Sequence, residues 1–383
     1  MKLAALALAA MVVAGGGDLD AIRETQAKLV ALRGENRETS GATQELTVLK
    51  HQLADWADSR IANSGPHPEA AALTATLNAE FDQKKYVVPD GDQYREYLGD
   101  VGAFEVSHPD GDESWLRLTT SVGVHCEYED SVYLFEWRDG LWHRRFTAEQ
   151  TDYTKGKYFP LHYNYVGVSQ PDGAGERLVL AIANTEGCAS TWQSIDYTIS
   201  RIGSTGKTLL HGSDVLNIGD IEPYHGRIEP NRALIEFLGQ SQDTDVLVRP
   251  HVLQYAIDGD KGRRIEPIAL SAQDFVDEWL TKSWSDIAEW SNGSLRDLHD
   301  KLIKDSWHFN FVQRCTSHSD RWQIEVRQLN DGGAAAEYYF LVAQGGQYGF
   351  RMLDVSSERQ PGCPGSAKPR EGSDAFPTLF PKK

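Results

Sequence analysis

Three carboxylates crowd one short stretch of this 383-residue chain: Glu127, Glu129 and Asp130 follow directly on Cys126. Two carboxylates facing each other across a cleft can hydrolyse a glycosidic bond when they stand about 5 to 9.5 Å apart, one giving a proton while the other attacks or activates water. Spacing along the chain does not fix that distance, and with 56 Asp and Glu residues such clusters are expected on solvated faces as well. Other patterns fall short of their chemistry. Gly203-Ser204-Thr205-Gly206-Lys207-Thr208 ends like a phosphate-binding loop, but Arg201 stands where its first glycine belongs. Ser204 and Lys207 have the spacing of the serine β-lactamase nucleophile motif, yet they join two strands instead of opening a helix. No Gly-x-Ser-x-Gly elbow or His-Glu-x-x-His zinc helix occurs, and His162, His225 and His251 have no evident triad partners. Cys315 and His318 have a ligand-like spacing without a second pair nearby. The sequence therefore assigns no catalytic, cofactor-binding or metal-binding residue, and no cofactor is expected.

Aromatic residues offer a different chemistry. Trp137 and Trp142 flank a hairpin, where exposed rings stack on sugars or pack against partners. With Glu127, Glu129 and Asp130 they make up the candidate ligand-binding set, for an unknown protein or a carbohydrate. A net charge of −18, from 38 basic and 56 acidic residues, repels nucleic acid and anionic lipid, so neither is an expected partner.

These residues must be held by a sizeable core, and 40% hydrophobic residues can build one. Residues 18–85 read as helical: Leu46, Leu49, Leu53 and Trp56 recur at helical spacing, as do Leu73, Leu77 and Phe81 after a break at Gly65-Pro66-His67-Pro68. From about Val101 the period becomes two. Four alternating runs end in glycine turns: Tyr133, Phe135 and Trp137 before Asp139-Gly140; Ile195, Tyr197 and Ile199 before Gly203; Leu253, Tyr255 and Ile257 before Asp258-Gly259; Tyr338, Phe340 and Val342 before Gly345-Gly346. Each predicts strand, tight turn, strand. The segment 106–126 also matches 168–188 at eight of 21 positions, including Pro109 on Pro171 and Cys126 on Cys188, the pattern of a duplicated unit.

The expected fold is mainly β with α segments: repeated four-stranded antiparallel units, propeller-like, with N-terminal helices and a helical insertion. The division is 1–17 signal peptide, 18–85 helical segment, 86–270 repeated β units, 271–305 helical insertion, 306–356 final β unit and 357–383 irregular tail. The alternative is a β domain plus a C-terminal α+β domain, because helices followed by four strands suit a small α+β arrangement. Met1-Lys2, the apolar run Leu3 to Val13 and the small residues Ala14 to Gly17 have the layout of a secretory signal, too short to span a membrane. An exported chain keeps disulfides, and the pairings expected are Cys315 with Cys363 and, as a second bridge, Cys126 with Cys188.

Asp110-Gly111-Asp112 followed by Leu116 and Leu118 resembles the acidic loop-then-strand repeat of integrin-type propellers, whose loops can bind calcium; the second copy has Ala174 and Gly175 instead of Asp112 and Glu113, calcium needs six to eight oxygen ligands, and a plain turn is the expected reading. The runs Cys126 to Tyr133, Cys188 to Trp192 and Phe275 to Leu280 resemble uncharacterised exported bacterial proteins, a resemblance that implies export but no activity. The expected role is a non-enzymatic binding or scaffold module, periplasmic or secreted. The alternative is an extracytoplasmic hydrolase acting on glycan or peptide through acidic residues.

Overall fold

The computed structural model describes residues 19–33, 40–82, 97–109, 112–124, 127–151, 153, 160–185, 190–202, 206–218, 224–244, 246–303, 306–329 and 336–363. They form two compact units, Met1–Tyr163 and Asn164–Lys383. Among the described residues no helix is long and apolar enough to cross a membrane. Residues 1–17, read above as a secretory signal, and Cys126 and Cys188, the expected second bridge, lie outside the described residues.

In the first unit, helices α1 (Leu19–Ala31), α2 (Ser40–Ile61) and α3 (Ala70–Phe81) accompany a sheet of β1 (Glu105–Ser107), β2 (Trp115–Gly123), β3 (Tyr128–Arg138) and β4 (Leu141–Ala148), in sequential order. The helical stripes read from spacing are buried: Leu46, Leu49, Leu53 and Trp56 of α2 and Leu73, Leu77 and Phe81 of α3 share one core with Leu116, Leu118, Tyr133 and Phe135 of the sheet. Trp56, Phe81 and Phe104 form its aromatic centre, with ring centroids 5.1 to 5.2 Å apart. Asn78 of α3 behaves like an added strand residue. Its carboxamide donates to the Phe104 carbonyl at 2.8 Å and accepts from the Phe104 amide at 2.9 Å. Between β3 and β4, Asp139 and Gly140 take φ of 54° and 85°, the paired positive values that a two-residue hairpin turn requires.

The second unit holds an eight-stranded sheet in the order β12-β11-β10-β8-β7-β6-β5, with β9 also pairing β10. Its strands are β5 (Leu161–Val168), β6 (Arg177–Thr185), β7 (Trp192–Ile202), β8 (Lys207–Asn217), β9 (Tyr224–Glu229), β10 (Arg232–Gln240), β11 (Val248–Asp258) and β12 (Lys261–Arg264). A third sheet, β13 (Ser306–Arg314), β14 (Arg321–Leu329), β15 (Glu337–Gly345) and β16 (Gly349–Ser356), follows helices α4 (Ala272–Thr281), α5 (Trp284–Ile287) and α6 (Arg296–Leu302). The Ser271 side chain caps α4 by accepting from the Asp274 amide at 3.0 Å. Phe275, Val276, Trp279 and Leu280 of α4 then share a core with Ile324, Val326, Phe340, Val342 and Met352 of the sheet.

All four expected hairpins pair as read, β3 with β4, β7 with β8, β11 with β12 and β15 with β16. The propeller-like arrangement needs correction. The fold is mainly β and its sheets are antiparallel, but the strands from β5 to β12 join in one open sheet instead of separate four-stranded blades, and no sheet of the described residues closes. Edge pairing across the Gly239 and Leu216 register, between β10 and β8, makes that continuous sheet. Helices followed by four sequential strands match the order expected for a C-terminal α+β arrangement, although both sheets here lie in one compact unit.

Cys315 and Cys363 are bonded, with their Cα atoms 4.1 Å apart. The bridge fastens the segment after β16 against the end of β13, beside a hydrogen bond from the Thr316 amide to the Gly362 carbonyl at 2.9 Å. A disulfide of this kind agrees with an oxidising compartment and hence with export.

Candidate functional site

The sequence-derived set lies in the first unit and does not share one cleft. Alternation along β3 turns Glu129 inward, where its side chain is fully buried and takes hydrogen bonds from Lys50 Nζ and the Tyr153 hydroxyl. Lys50 also donates to the Gln150 carbonyl at 2.9 Å. Burial raises the Glu129 pKa and outweighs the attraction of Lys50; burial and then the Glu129 charge push the Tyr153 phenol well above its usual value. Asp130 faces the other way, accepting from Ser121 Oγ at 2.6 Å and standing 3.3 Å from His162 Nδ1. Glu127 sits at the bend before β3, half-buried. Trp137 and Trp142 are brought together as cross-strand partners, their rings edge-on at 5.4 Å. Trp142 is buried and donates from Nε1 to the Gly65 carbonyl at 2.7 Å, while Trp137 is half-buried against the core. Asp112, of the acidic turn, accepts from the Ser114 amide and hydroxyl and so closes its own loop.

The more organised polar site lies in the second unit. A cleft of about 450 Å³ is lined by Ser194 of β7, Ser213 and Asp214 of β8, Gln240 and Gln242 at the end of β10, His251 of β11, and Thr281, Lys282 and Ser283 at the end of α4. It opens where the sheet loosens, since β8 and β10 have the single paired position Gly239 and Leu216. Gly239 permits that approach: a Cβ there would come within 2.6 to 2.7 Å of Phe237, His251 and the Val215 carbonyl.

The two charges lining the cleft neutralise each other. Lys282 Nζ donates to Asp214 Oδ2, and Asp214 Oδ1 accepts from the Val215 amide at 2.9 Å. Burial works against the Asp214 carboxylate, but Lys282 prevails and holds its pKa below the usual range. His251 stacks on Phe237 at 4.7 Å and its Nε2 lies 3.1 Å from the Gln240 carbonyl, while Nδ1 stands 3.8 Å from Glu278 Oε2. Burial first, and then the Arg249 charge, lower the imidazole pKa to about 4. At neutral pH it is uncharged, and donation from Nε2 to Gln240 leaves Nδ1 as an acceptor.

Behind the cleft lies a dense ionic network. Arg249, fully buried, donates from Nε to Asp277 and from Nη2 to Glu278 at 2.8 Å; Arg264 reaches the other Glu278 oxygen at 2.8 Å. Asp277 also accepts from Ser241 Oγ at 2.8 Å and the Gln242 amide at 2.7 Å, which fixes the loop that carries Gln242 into the cleft. Burial alone would raise the Glu278 pKa, but Arg264, Lys282 and Arg249 together hold it far below the ordinary carboxylate range. Sequence reasoning missed this network, although it left a signal. Arg249 and His251 fall on the same parity of β11 as Leu253, Tyr255 and Ile257, and Asp277 with Glu278 interrupts the apolar run from Phe275 to Leu280. Among the described residues no group of three or more His, Cys, Asp or Glu side chains is placed to hold a metal ion.

No sequence-family model and no curated protein matches the chain. A solved structure described as a glycoside hydrolase aligns with 74% of this chain and 93% of its own at 11% identity, with a TM-score of 0.23, too low for an inference about fold or activity.

Proposed function

We propose that the protein is an exported, non-enzymatic binding module whose polar cleft takes a small, neutral, hydroxyl-rich ligand, a carbohydrate or polyol. The observation that supports this is the charge state of the lining. Glycoside hydrolysis needs a carboxyl that keeps its proton near neutral pH, a group with a raised pKa. At this cleft Asp214 and, behind it, Glu278 are both held ionised by cations. Lys282 is paired with Asp214, so an anionic or cationic ligand finds no spare counter-charge in the lining. What the lining offers instead is hydroxyls, carboxamides and the neutral His251 ring.

Titration calorimetry of the full chain with a panel of neutral mono- and disaccharides and sugar alcohols tests the reading. Binding is expected, and Gln242→Leu, which removes a lining carboxamide, should weaken it by about tenfold, the loss of roughly one hydrogen bond. Absence of binding across the panel would count against the reading. Turnover of nitrophenyl glycosides that disappears in Asp214→Asn would replace it with the hydrolase.

A further inference from the structure

A second cavity stands at the opposite end of α4. That helix has ten residues and spans about 15 Å, whereas the nine-residue strands β13, β14 and β15 run about 30 Å. The helix therefore covers only part of the face it packs on. Ile324, Val326, Phe340, Val342 and Met352 belong to the covered core. Val312 pairs with Ile324 and Trp322 with Val342 at the edge of that core, and with Gln344 and Phe350 they line a cavity of about 440 Å³ that residues 270–273 border at the helix start.

Its chemistry is two-sided. Leu270, Val312, Trp322 and Phe350 supply apolar walls; Ser271, Gln273 and Gln344 supply neutral polar groups, and among the described residues no charged side chain lines it. Trp322 is half-buried, and its Nε1 donates to Gln344 Oε1 at 3.0 Å, which fixes the plane of the indole. The Gln344 carboxamide is itself held by donation from Nε2 to the Gln347 carbonyl at 3.1 Å. The Arg314 guanidinium stands 5.8 Å from the indole centroid, enriching the site in a cation near the ring without lining the cavity. Ser271 Oγ accepts from the Asp274 amide and retains its own proton for donation. These orientations exist in the free protein, so a ligand meets a preformed wall and rim.

We propose that this pocket is a saccharide-stacking subsite, taking one pyranose ring of a neutral glycan with its C–H face on Trp322 and its hydroxyls toward Ser271, Gln273 and Gln344. A pyranose has an apolar face and a hydroxylated edge, which is the division the walls and rim present. An aromatic peptide side chain would fill the walls but strip water from Ser271 and Gln344 without replacing those hydrogen bonds, an unfavourable exchange, whereas the buried Gln273 carboxamide already donates to Asp243 at 3.4 Å. A cationic sugar would meet no carboxylate among the described lining residues, and an anionic one would find only Arg314, which stands beside the indole and outside the lining. The pocket shares no residue with the polar cleft, so the two assignments hold or fail independently.

The test uses the full chain labelled with ¹⁵N at tryptophan, the Trp322 indole signal being assigned with Trp322→Phe. Neutral gluco-, manno- and xylo-hexaose are titrated separately. At least one should shift the Trp322 signal, and Trp322→Ala should weaken that binding about tenfold or more, as expected for loss of a stacked aromatic. Gln344→Leu, which keeps the Trp322 ring but removes a rim carboxamide and the bond that fixes the indole plane, should weaken it several-fold and serves if the alanine variant does not fold. Gln242→Leu should leave the Trp322 shift unchanged. The proposal is overturned if no saccharide moves the Trp322 signal, or if N-acetyl-phenylalanine amide moves it while the saccharides do not, which would make the pocket a peptide site.

Discussion

Glu278→Gln tests the electrostatic account of the second unit most directly. The carboxylate is 1% exposed and takes 2.8 Å hydrogen bonds from both Arg249 and Arg264. Glutamine keeps the shape but leaves two buried guanidinium groups short of one negative charge, and Asp277 alone engages Arg249. Breaking one member of a buried ionic network costs about 3–5 kcal/mol. For a unit of this size each kcal/mol moves the melting temperature by roughly 2–4 °C, so a drop of about 6–20 °C at pH 7 is expected by calorimetry or circular dichroism. The pH dependence supplies a sharper criterion. The folded pKa of Glu278 lies below its unfolded value of 4.5, so its contribution is complete above that pH and is lost as the pH falls toward the depressed folded value. The gap between wild type and Glu278→Gln should therefore narrow by about 1.4 kcal/mol per pH unit below 4.5. A deficit under about 1 kcal/mol at pH 7, or a gap equal at pH 7 and pH 3, would refute the reasoning.

The neutral state of His251 makes a second prediction: its ring signal in proton NMR should stay unprotonated from pH 8 to 5 and titrate near 4, and stability should fall by roughly 3 kcal/mol as the pH drops from 6.5 to 4, because the unfolded ring takes up a proton that the folded one refuses. An ordinary midpoint near 6.5, or the same acid slope in His251→Asn, would contradict the burial argument. For the disulfide, Cys363→Ser should destabilise by about 4 kcal/mol in the chain-entropy picture for a 48-residue separation, and hydrogen exchange at the Thr316, Gln360 and Cys363 amides should accelerate. Unaltered exchange at those amides would show that the segment holds its place without the bridge.

Local chemistry is legible in the sequence where one interaction decides the geometry. Asp139-Gly140 permits a hairpin with positive φ at both residues, and the Leu46, Leu49, Leu53 and Trp56 stripe has a single face to bury; both stand as read. Cys315 and Cys363 are legible because a segment with many prolines and no apolar periodicity gains a fixed place from a covalent tie. The continuous eight-stranded sheet is not. Turn residues determine which strands are hairpin partners but say nothing of which hairpin edges meet, and here that junction rests on Gly239 beside Leu216. The polar cleft is hidden for a related reason. Asp277 looks like an ordinary acidic residue in mid-helix, and only the return of β11 places Arg249 against it. Strict alternation along β3, by contrast, is enough by itself to send Glu129 and Asp130 to opposite faces of the sheet, so the two could never have formed one acidic pair.

Helix α4 also constrains how this chain can change over time. Its first residues wall one pocket, its centre holds Arg249 and Arg264 through Asp277 and Glu278, and its last residues deliver Thr281 and Lys282 to the other pocket. An inserted or deleted residue within it would turn everything beyond by about 100° and shift it about 1.5 Å along the axis, separating one pocket wall from the other and swinging the carboxylates off their arginines. Point substitutions that respect volume and charge pass one at a time, but a change in length fails at several places at once. Descendants of this sequence should accordingly drift in the identities of the residues along α4 far more freely than in their number.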